Sequence, residues 1–377
     1  MQLSGLQSPS SILDPRICFD ETETLRPGGV LSAVLEASFY KPNTMKPLSI
    51  PAIFLGIDVG KKDLFCHVIL QSSTESERFD NTPEGVRALI LWLGIIAPPS
   101  SILACLEQTG HYGKAVADAL HALGIRSLHL VNPRQIKAFG NQKLRRNKSD
   151  TADARLIAQF LRSEYDELRP WTPLPANHEK VKELSRYAES LTQDTARLKT
   201  KLEAVSLIDV KRSINRRIKA QQKELEAIRS KIAKIVDNDS QLKVQNSLLH
   251  SIPGLGEVTC QILLAELPEI GLFGDARQLA AWVGVTPRHF TSGTSGRTAT
   301  PITKVGSANL RRALYLPAMT AMTYNPLLRE FAQRLKENGK TGKQIVVAVM
   351  RKLLHQIYGI LKSGLPYNPN KRGLKTA

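Results

Sequence analysis

Ile53-Phe54-Leu55-Gly56-Ile57-Asp58-Val59-Gly60-Lys61-Lys62 sets a single acid inside an apolar run. A run of this length, bounded by turn residues, predicts a buried strand. A carboxylate within such a strand is costly unless a hydrogen-bond network, a basic partner or a metal compensates it. Asp58 is therefore the first candidate functional residue.

Outward from this strand the pattern stays regular. Residues 63–70 and 77–81 predict two further strands joined by short turns, a three-stranded meander. Pro83-Glu84 opens a helix to about residue 95. Residues 102–106 predict a fourth strand ending on Glu107, which in this order lies beside the first. A helix over 110–123, stopped by Gly124, leads to a fifth strand over 127–131, and Asn132-Pro133 begins another helix. This order predicts an α/β layer with a mixed sheet.

Before and after this layer the composition changes. Residues 1–50 hold scattered Pro, Ser and Gly without a period and are expected to be a weakly ordered extension, with Met45 an alternative start. The α/β domain spans 51–171, and a Pro-flanked linker follows it. Residues 172–245 are nearly free of Pro and Gly beyond that linker. Leu184, Leu191, Leu198 and Val205 recur every seven residues, then Ile214, Ile218, Leu225, Ile228, Ile232 and Ile235 follow alternating four- and three-residue steps, with Gln221 the one polar interruption. These are coiled-coil seams with a break near Asp209; they serve an internal helical hairpin or pairing with a second chain. A mainly helical domain over 246–365 and a basic tail over 366–377 complete the chain. Helices are expected around 276–283, 307–322 and 343–361.

The 377 residues carry a formal charge of +18, which favours a polyanion, above all nucleic acid. Cys18, Cys66, Cys105 and Cys260 form no Cys-x-x-Cys pair, so a zinc site or disulfide framework is not expected. No stretch has the length and apolarity of a membrane span and no signal peptide opens the chain, which points to the cytosol.

Other acids can join Asp58. Glu107 ends the neighbouring strand. Asp150 and Asp153, in Asn147-Lys148-Ser149-Asp150-Thr151-Ala152-Asp153-Ala154, share a helix face. Taken singly, Asp150 reads as a helix N-cap, Asp153 as a first-turn acid and Glu107 as a strand-end residue. Together, four carboxylates suit two magnesium ions about 4 Å apart, the arrangement for in-line phosphoryl transfer.

Ser292 precedes a glycine in a loop followed by Arg297, Lys304, Arg311 and Arg312. It reads as a turn residue or, with cations to steady a phosphate, as a nucleophile; His289 is the nearby candidate base. Gly254 and Gly256, in Pro253-Gly254-Leu255-Gly256, resemble the hairpin of a helix-hairpin-helix element, where backbone N–H groups approach a phosphate. Arg134, Lys137, Lys143, Arg145, Arg146 and Lys148 form an acid-free run, a solvated face or a guide for a phosphate backbone.

These motifs, in this order from Ile53 to about Leu361, resemble the DEDD transposases of bacterial insertion sequences, also called bridge-RNA-guided recombinases. Gly56-Ile57-Asp58-Val59 resembles the strand of the family's first Asp, and Leu106-Glu107-Gln108-Thr109-Gly110 the segment of its Glu. Ser149-Asp150-Thr151-Ala152-Asp153-Ala154 is similar to its Asp-x-x-Asp motif. Ile252-Pro253-Gly254-Leu255-Gly256, Gly284-Val285-Thr286-Pro287-Arg288 and Ser292-Gly293 resemble its C-terminal domain.

The resemblance implies a RuvC-like RNase H fold, a coiled-coil dimerisation region and a C-terminal domain with a catalytic serine. It implies Asp58, Glu107, Asp150 and Asp153 as Mg2+ ligands and Ser292 as the nucleophile, with Ser295 close by. It also implies donor and target DNA, an element-encoded guide RNA, and a dimer or tetramer with composite sites across subunits. Competing readings are a RuvC-like junction endonuclease that uses water, a non-catalytic nucleic-acid scaffold, and a sugar-kinase or actin-like ATPase sharing the Gly-Ile-Asp-x-Gly opening. The ATPase is disfavoured because no second phosphate loop or adenosine motif is found, and Gly339–Lys343 lacks P-loop spacing.

Overall fold

The computed structural model describes residues 53–107, 112–142, 149–287 and 301–370. The chain divides into two compact units between Leu174 and Pro175. The extension over residues 1–50 and most of the basic tail lie outside the described residues.

The first unit is built on a five-stranded sheet. Strands β1 (Ile53–Val59), β2 (Asp63–Ile69) and β3 (Thr74–Asp80) form an antiparallel meander; β4 (Ile102–Glu107) and β5 (Ser127–Val131) continue it in parallel. The spatial order is β3-β2-β1-β4-β5, so the first strand sits at the centre, hydrogen-bonded to β2 on one side and β4 on the other. This mixed order, an antiparallel meander extended by two parallel crossover strands, is that of an RNase H-like α/β fold. Helices α1 (Pro83–Ile96), α2 (Lys114–Leu123), α3 (Pro133–Gln142) and α4 (Asp150–Glu164) supply the crossovers and cover.

Alternation along β1 and β4 sorts side chains into two cores. Leu55, Ile57, Ala104 and Leu106 pack with Leu89, Leu93, Val116 and Leu120 of α1 and α2. Leu103 and Cys105 pack on the other side with Ile157, Phe160 and Leu161 of α4. Cys66 and Cys105 are buried free thiols, each held well above the ordinary thiol range by desolvation.

β3 begins at Thr74, three residues before its expected start. Its residues are almost all exposed, so no apolar alternation marks it; pairing along the whole of β2 holds it in place. Beyond β5, Trp171 donates its backbone N–H to Leu128 O, and its ring meets His121 edge-on.

The second unit is helical. α5 (Ala176–Ala204) and α6 (Ile208–Asn238) run antiparallel, as the bonds Asn177–Asp239, Thr195–Gln221 and Tyr187–Glu224 show. Gln221, the polar interruption of the apolar seam, is matched by the Thr195 hydroxyl. The helices are joined by Val205-Ser206-Leu207, the break expected near Asp209, which falls in the first turn of α6.

Then come α7 (Ser240–His250), α8 (Glu257–Glu266), α9 (Ala276–Val283), α10 (Ala308–Tyr324), α11 (Pro326–Glu337) and α12 (Gly342–Ser363). One apolar core unites the inner half of the hairpin, through Val181, Leu191 and Ile232, with Leu263, Leu279, Leu314 and Leu353. The outer half has its own small cluster of Leu198, Ile214 and Ile218. The α7–α8 turn depends on Gly254, whose φ is +104°; a Cβ there would also lie 2.9 Å from the Ala321 backbone nitrogen.

Candidate active site

Three carboxylates meet where β1 passes beneath α4. Asp58, Asp150 and Asp153 each offer an oxygen within 4.8 Å of the other two. Two local features bring them together. The first is Gly56. A Cβ at this position would fall within clashing distance of the Ala158 nitrogen and the Ala154 carbonyl oxygen. The missing side chain thus lets α4 rest directly on β1, two residues from Asp58 and one turn from Asp153.

The second feature is Ser149, whose hydroxyl accepts the Ala152 N–H and caps α4. Asp150 is therefore not the N-cap; it is the first helical residue. The cap leaves Asp150 and Asp153 together in the first turn, where acids suit the helix dipole. Sequence reading did not assign these roles to Gly56 or Ser149. An isolated glycine inside an apolar strand was the available signal for the first.

Crowding changes the chemistry of Asp58. Burial, then the charges of Asp153, Glu107 and Asp150, raise its pKa from 3.8 to about 6, against a hydrogen bond from the Val59 N–H. Glu107, half-buried at the end of β4, is likewise pushed up by burial and by Asp153. It stands in the electrostatic neighbourhood of the group but outside the set of three whose oxygens converge within 4.8 Å.

Oxygen-seeking divalent cations bind carboxylates at about 2.0–2.6 Å. Three carboxylate oxygens within 4.8 Å of one another therefore fit around one such ion. The donor set is all oxygen, which suits Mg2+, Mn2+ or Ca2+ rather than Zn2+. The acidic cluster and fold thus point to divalent-metal binding, with a cation relieving the repulsion that raises Asp58.

The expected nucleic-acid contacts are scattered. Arg134 and Lys137 are exposed on α3, three residues apart on one face. Gly256 forms the N-cap of α8 with open space around its Cα, though Glu257 in the first turn works against an anion there. Lys304 is exposed, in a left-handed conformation with φ 53°, and donates its backbone N–H to Gly284 O.

Two cations are committed within the fold. Arg311 donates from Nη1 to the Val283 carbonyl at 2.8 Å, closing the end of α9. Arg312 is paired with Glu189 of α5. Lys143, Arg145, Arg146, Lys148, Arg288, His289, Ser292, Ser295 and Arg297 lie outside the described residues.

The chain is similar to known proteins over most of its length. Residues 55–207 match the DEDD_Tnp_IS110 transposase family, and residues 246–333 match the transposase IS116/IS110/IS902 family. A pilin gene-inverting protein of Moraxella bovis is 29% identical over 317 residues, covering 84% of this chain and 97% of that protein. An IS110 insertion-element protein of Streptomyces coelicolor is 31% identical over 122 residues, 32% of this chain and 29% of that protein.

Among solved structures, T. thermophilus RuvC in complex with a Holliday junction substrate aligns over 32% of this chain and 99% of that one. Its sequence identity is 17% and its TM-score 0.26. Among the described residues, no helix is long and apolar enough to cross a membrane. The first match spans the α/β unit with all four acids and runs on through α5, and the second lies within the helical unit and contains the Gly254–Gly256 turn; the chain belongs to the IS110 family of DEDD insertion-sequence transposases.

Proposed function

We propose that this transposase cuts and rejoins DNA by Mg2+-dependent phosphoryl transfer, with Ser292 as the nucleophile and an element-encoded structured RNA as the guide. The observation that carries the metal-dependent part is the convergence of Asp58, Asp150 and Asp153 within 4.8 Å. Glu107, close enough to raise Asp58, is the fourth ligand in this reading. The bound metal supplies Lewis-acid polarisation of the scissile phosphate and neutralises charge that builds on its oxygens.

The chain's own residues do the rest. Asp58 must be ionised to bind a cation, so its raised pKa ties binding to pH above about 6. Ser149 and Gly56 keep α4 seated and hold the acids in register with β1. The Ser292 Oγ loses its proton and bonds to phosphorus while the bond to a sugar oxygen breaks; that oxygen takes up a proton. Attack on the phosphoserine by a sugar hydroxyl of a second strand reverses these bond changes and rejoins the DNA. The serine's role rests on the Ser292-Gly293 motif and the cations around it in sequence.

The guide RNA rests on the family resemblance and on the formal charge of +18. A homo-oligomer is supported by the tip of the α5–α6 hairpin, where Leu207 and Ile208 are 62% and 58% exposed. In this reading the open α8 N-terminus at Gly256 and the exposed Arg134 and Lys137 contact DNA phosphates.

A Ser292→Ala variant, assayed for strand exchange and for a trapped protein–DNA adduct, tests the proposal. Loss of both, with RNA binding kept, is expected. Metal-dependent hydrolysis without any adduct in the unaltered protein would instead favour a RuvC-like endonuclease using water. No cleavage with Mg2+ or Mn2+, despite co-purified RNA and donor DNA, would leave a nucleic-acid scaffold.

A further inference from the structure

The opposite flank of α4 carries a second feature that the metal site does not use. An open cleft of 640 Å³ lies between α4 and the β2–β3 edge of the sheet. Arg155, Gln159 and Arg162 form its α4 wall, and His67 and Thr74 lie on the sheet side. Residues at steps of four and three share a helix face, so this wall is continuous. At 1.5 Å per residue, the Cα atoms of Arg155 and Arg162 are about 10 Å apart along the helix axis. The same helix presents Asp150 and Asp153 about half a turn away from this wall.

Strand alternation turns the β3 glutamates away from the cleft; the acids of the cleft's own face, Asp63 and Asp80, lie at its far end, and Asp58 lies opposite Phe65. Glu75 and Glu77 of β3 pair with Val68 and Cys66, residues that face the α1–α2 core. Thr74, Ser76 and Arg78 take the other face, opposite Ile69, His67 and Phe65. His67 is buried and fixed by a 2.7 Å bond between Nδ1 and the Ser76 hydroxyl. Burial, together with the charge of Arg155, lowers its pKa, so it lines the cleft as a neutral ring near pH 7. Farther along the same face, the half-exposed Phe65 ring sits under the Arg78 guanidinium at 5.8 Å, and Arg78 is held by Asp63.

A polar trough with two arginines on one wall and hydroxyl, amide and imidazole groups beside them matches the backbone of single-stranded nucleic acid. Planar guanidiniums grip phosphate in a bidentate fashion. We propose that this cleft binds the sugar–phosphate backbone of a single DNA strand, with Arg155 and Arg162 each contacting a phosphate, so that α4 serves DNA on one flank and metal on the other. The proposal rests on this chain acting on DNA. It depends neither on the metal nor on Ser292.

The test is fluorescence anisotropy with full-length protein in EDTA, which removes divalent cations from the comparison. A single-stranded oligodeoxynucleotide and the oligoribonucleotide of the same sequence are titrated across a range of salt concentrations. Arg155→Ala/Arg162→Ala is compared with Arg216→Ala/Arg217→Ala, which removes two exposed arginines from α6 and matches the charge change. For DNA, the cleft pair is expected to weaken binding about tenfold and to reduce the log–log salt slope by about 1.4, two contacts at about 0.7 each. Arg155→Lys/Arg162→Lys should restore most of the slope, and thermal melting should be unchanged because both side chains are exposed.

An unchanged DNA slope would overturn the proposal. So would an equal loss in the α6 pair, or a loss confined to RNA.

Discussion

In the α/β unit, Asp58, Asp150 and Asp153 hold their oxygens within 4.8 Å of one another, and Asp58 is displaced to a pKa of about 6. In the helical unit, the charged residues that sequence reading offered to nucleic acid are partly spoken for. Arg311 closes α9 on the Val283 carbonyl, and Arg312 pairs with Glu189. Like charges are crowded at one point of the first unit, whereas these arginines of the second are individually partnered. Crowded like charges cost stability and are retained where a ligand of opposite charge relieves them. Paired charges are as consistent with a structural role. Residue type alone does not distinguish an arginine that holds a helix from one that holds a phosphate.

The sharpest way to break this contrast is Asp58→Asn. The account expects strand cleavage to fall by more than about a hundredfold in a metal-dependent assay. The folded protein should melt no lower than the parent at pH 7, because an unfavourable buried charge has been removed. Cleavage within tenfold of the parent would show that the crowding serves no metal.

Next in size is Gly56→Ala. Its Cβ meets backbone of α4 rather than a movable side-chain tip. A loss of about 1–3 kcal/mol in urea unfolding is expected, together with weakened metal binding as α4 lifts from β1. Normal stability and normal metal affinity would show that α4 seats itself without the glycine.

The pH dependence follows from Asp58. Its folded pKa of about 6 lies above the ordinary 3.8, so ionisation disfavours the fold. Its contribution to stability is fully present below about 3.8, is lost as pH rises toward about 6, and stays lost above. The melting temperature of the metal-free parent should therefore drop relative to Asp58→Asn over that window. Below about pH 6, apparent Mg2+ affinity should fall about tenfold per pH unit, one proton competing with the ion. Parallel melting curves for the two proteins would contradict this.

The smallest effect separates the two uses of arginine. Arg312 and Glu189 are 53% and 23% exposed, so breaking the pair by Arg312→Ala should cost only about 0.2–1 kcal/mol. If Arg312 is structural, the salt slope for DNA binding stays put. A drop in slope would move Arg312 to the nucleic-acid surface and weaken the contrast.

Much of this was legible from residue pattern. Hydrophobic runs bounded by turns marked β1, β4 and β5, and the strand and helix order led to the placement of β4 beside β1. The elements that escaped have physical reasons. The start of β3 is polar and lies at the sheet edge, so pairing rather than burial defines it. α11 is not among the expected helices; Pro326 is its first helical residue, behind the Asn325 cap, where proline fits.

At the site, the acids were visible as residue types on definable elements. Their convergence was not, because it depends on how closely α4 approaches Gly56. The pairing of Arg312 with Glu189, 123 residues away in sequence, leaves no local trace at all.

Direct titration of the metal tests the central claim. Mn2+ binding to the full-length protein at pH 7.5, followed by electron paramagnetic resonance, should show saturable uptake in the parent and its loss in Asp58→Asn and Asp153→Asn. Equal uptake by all three proteins would show that the carboxylates of β1 and α4 do not form the metal site.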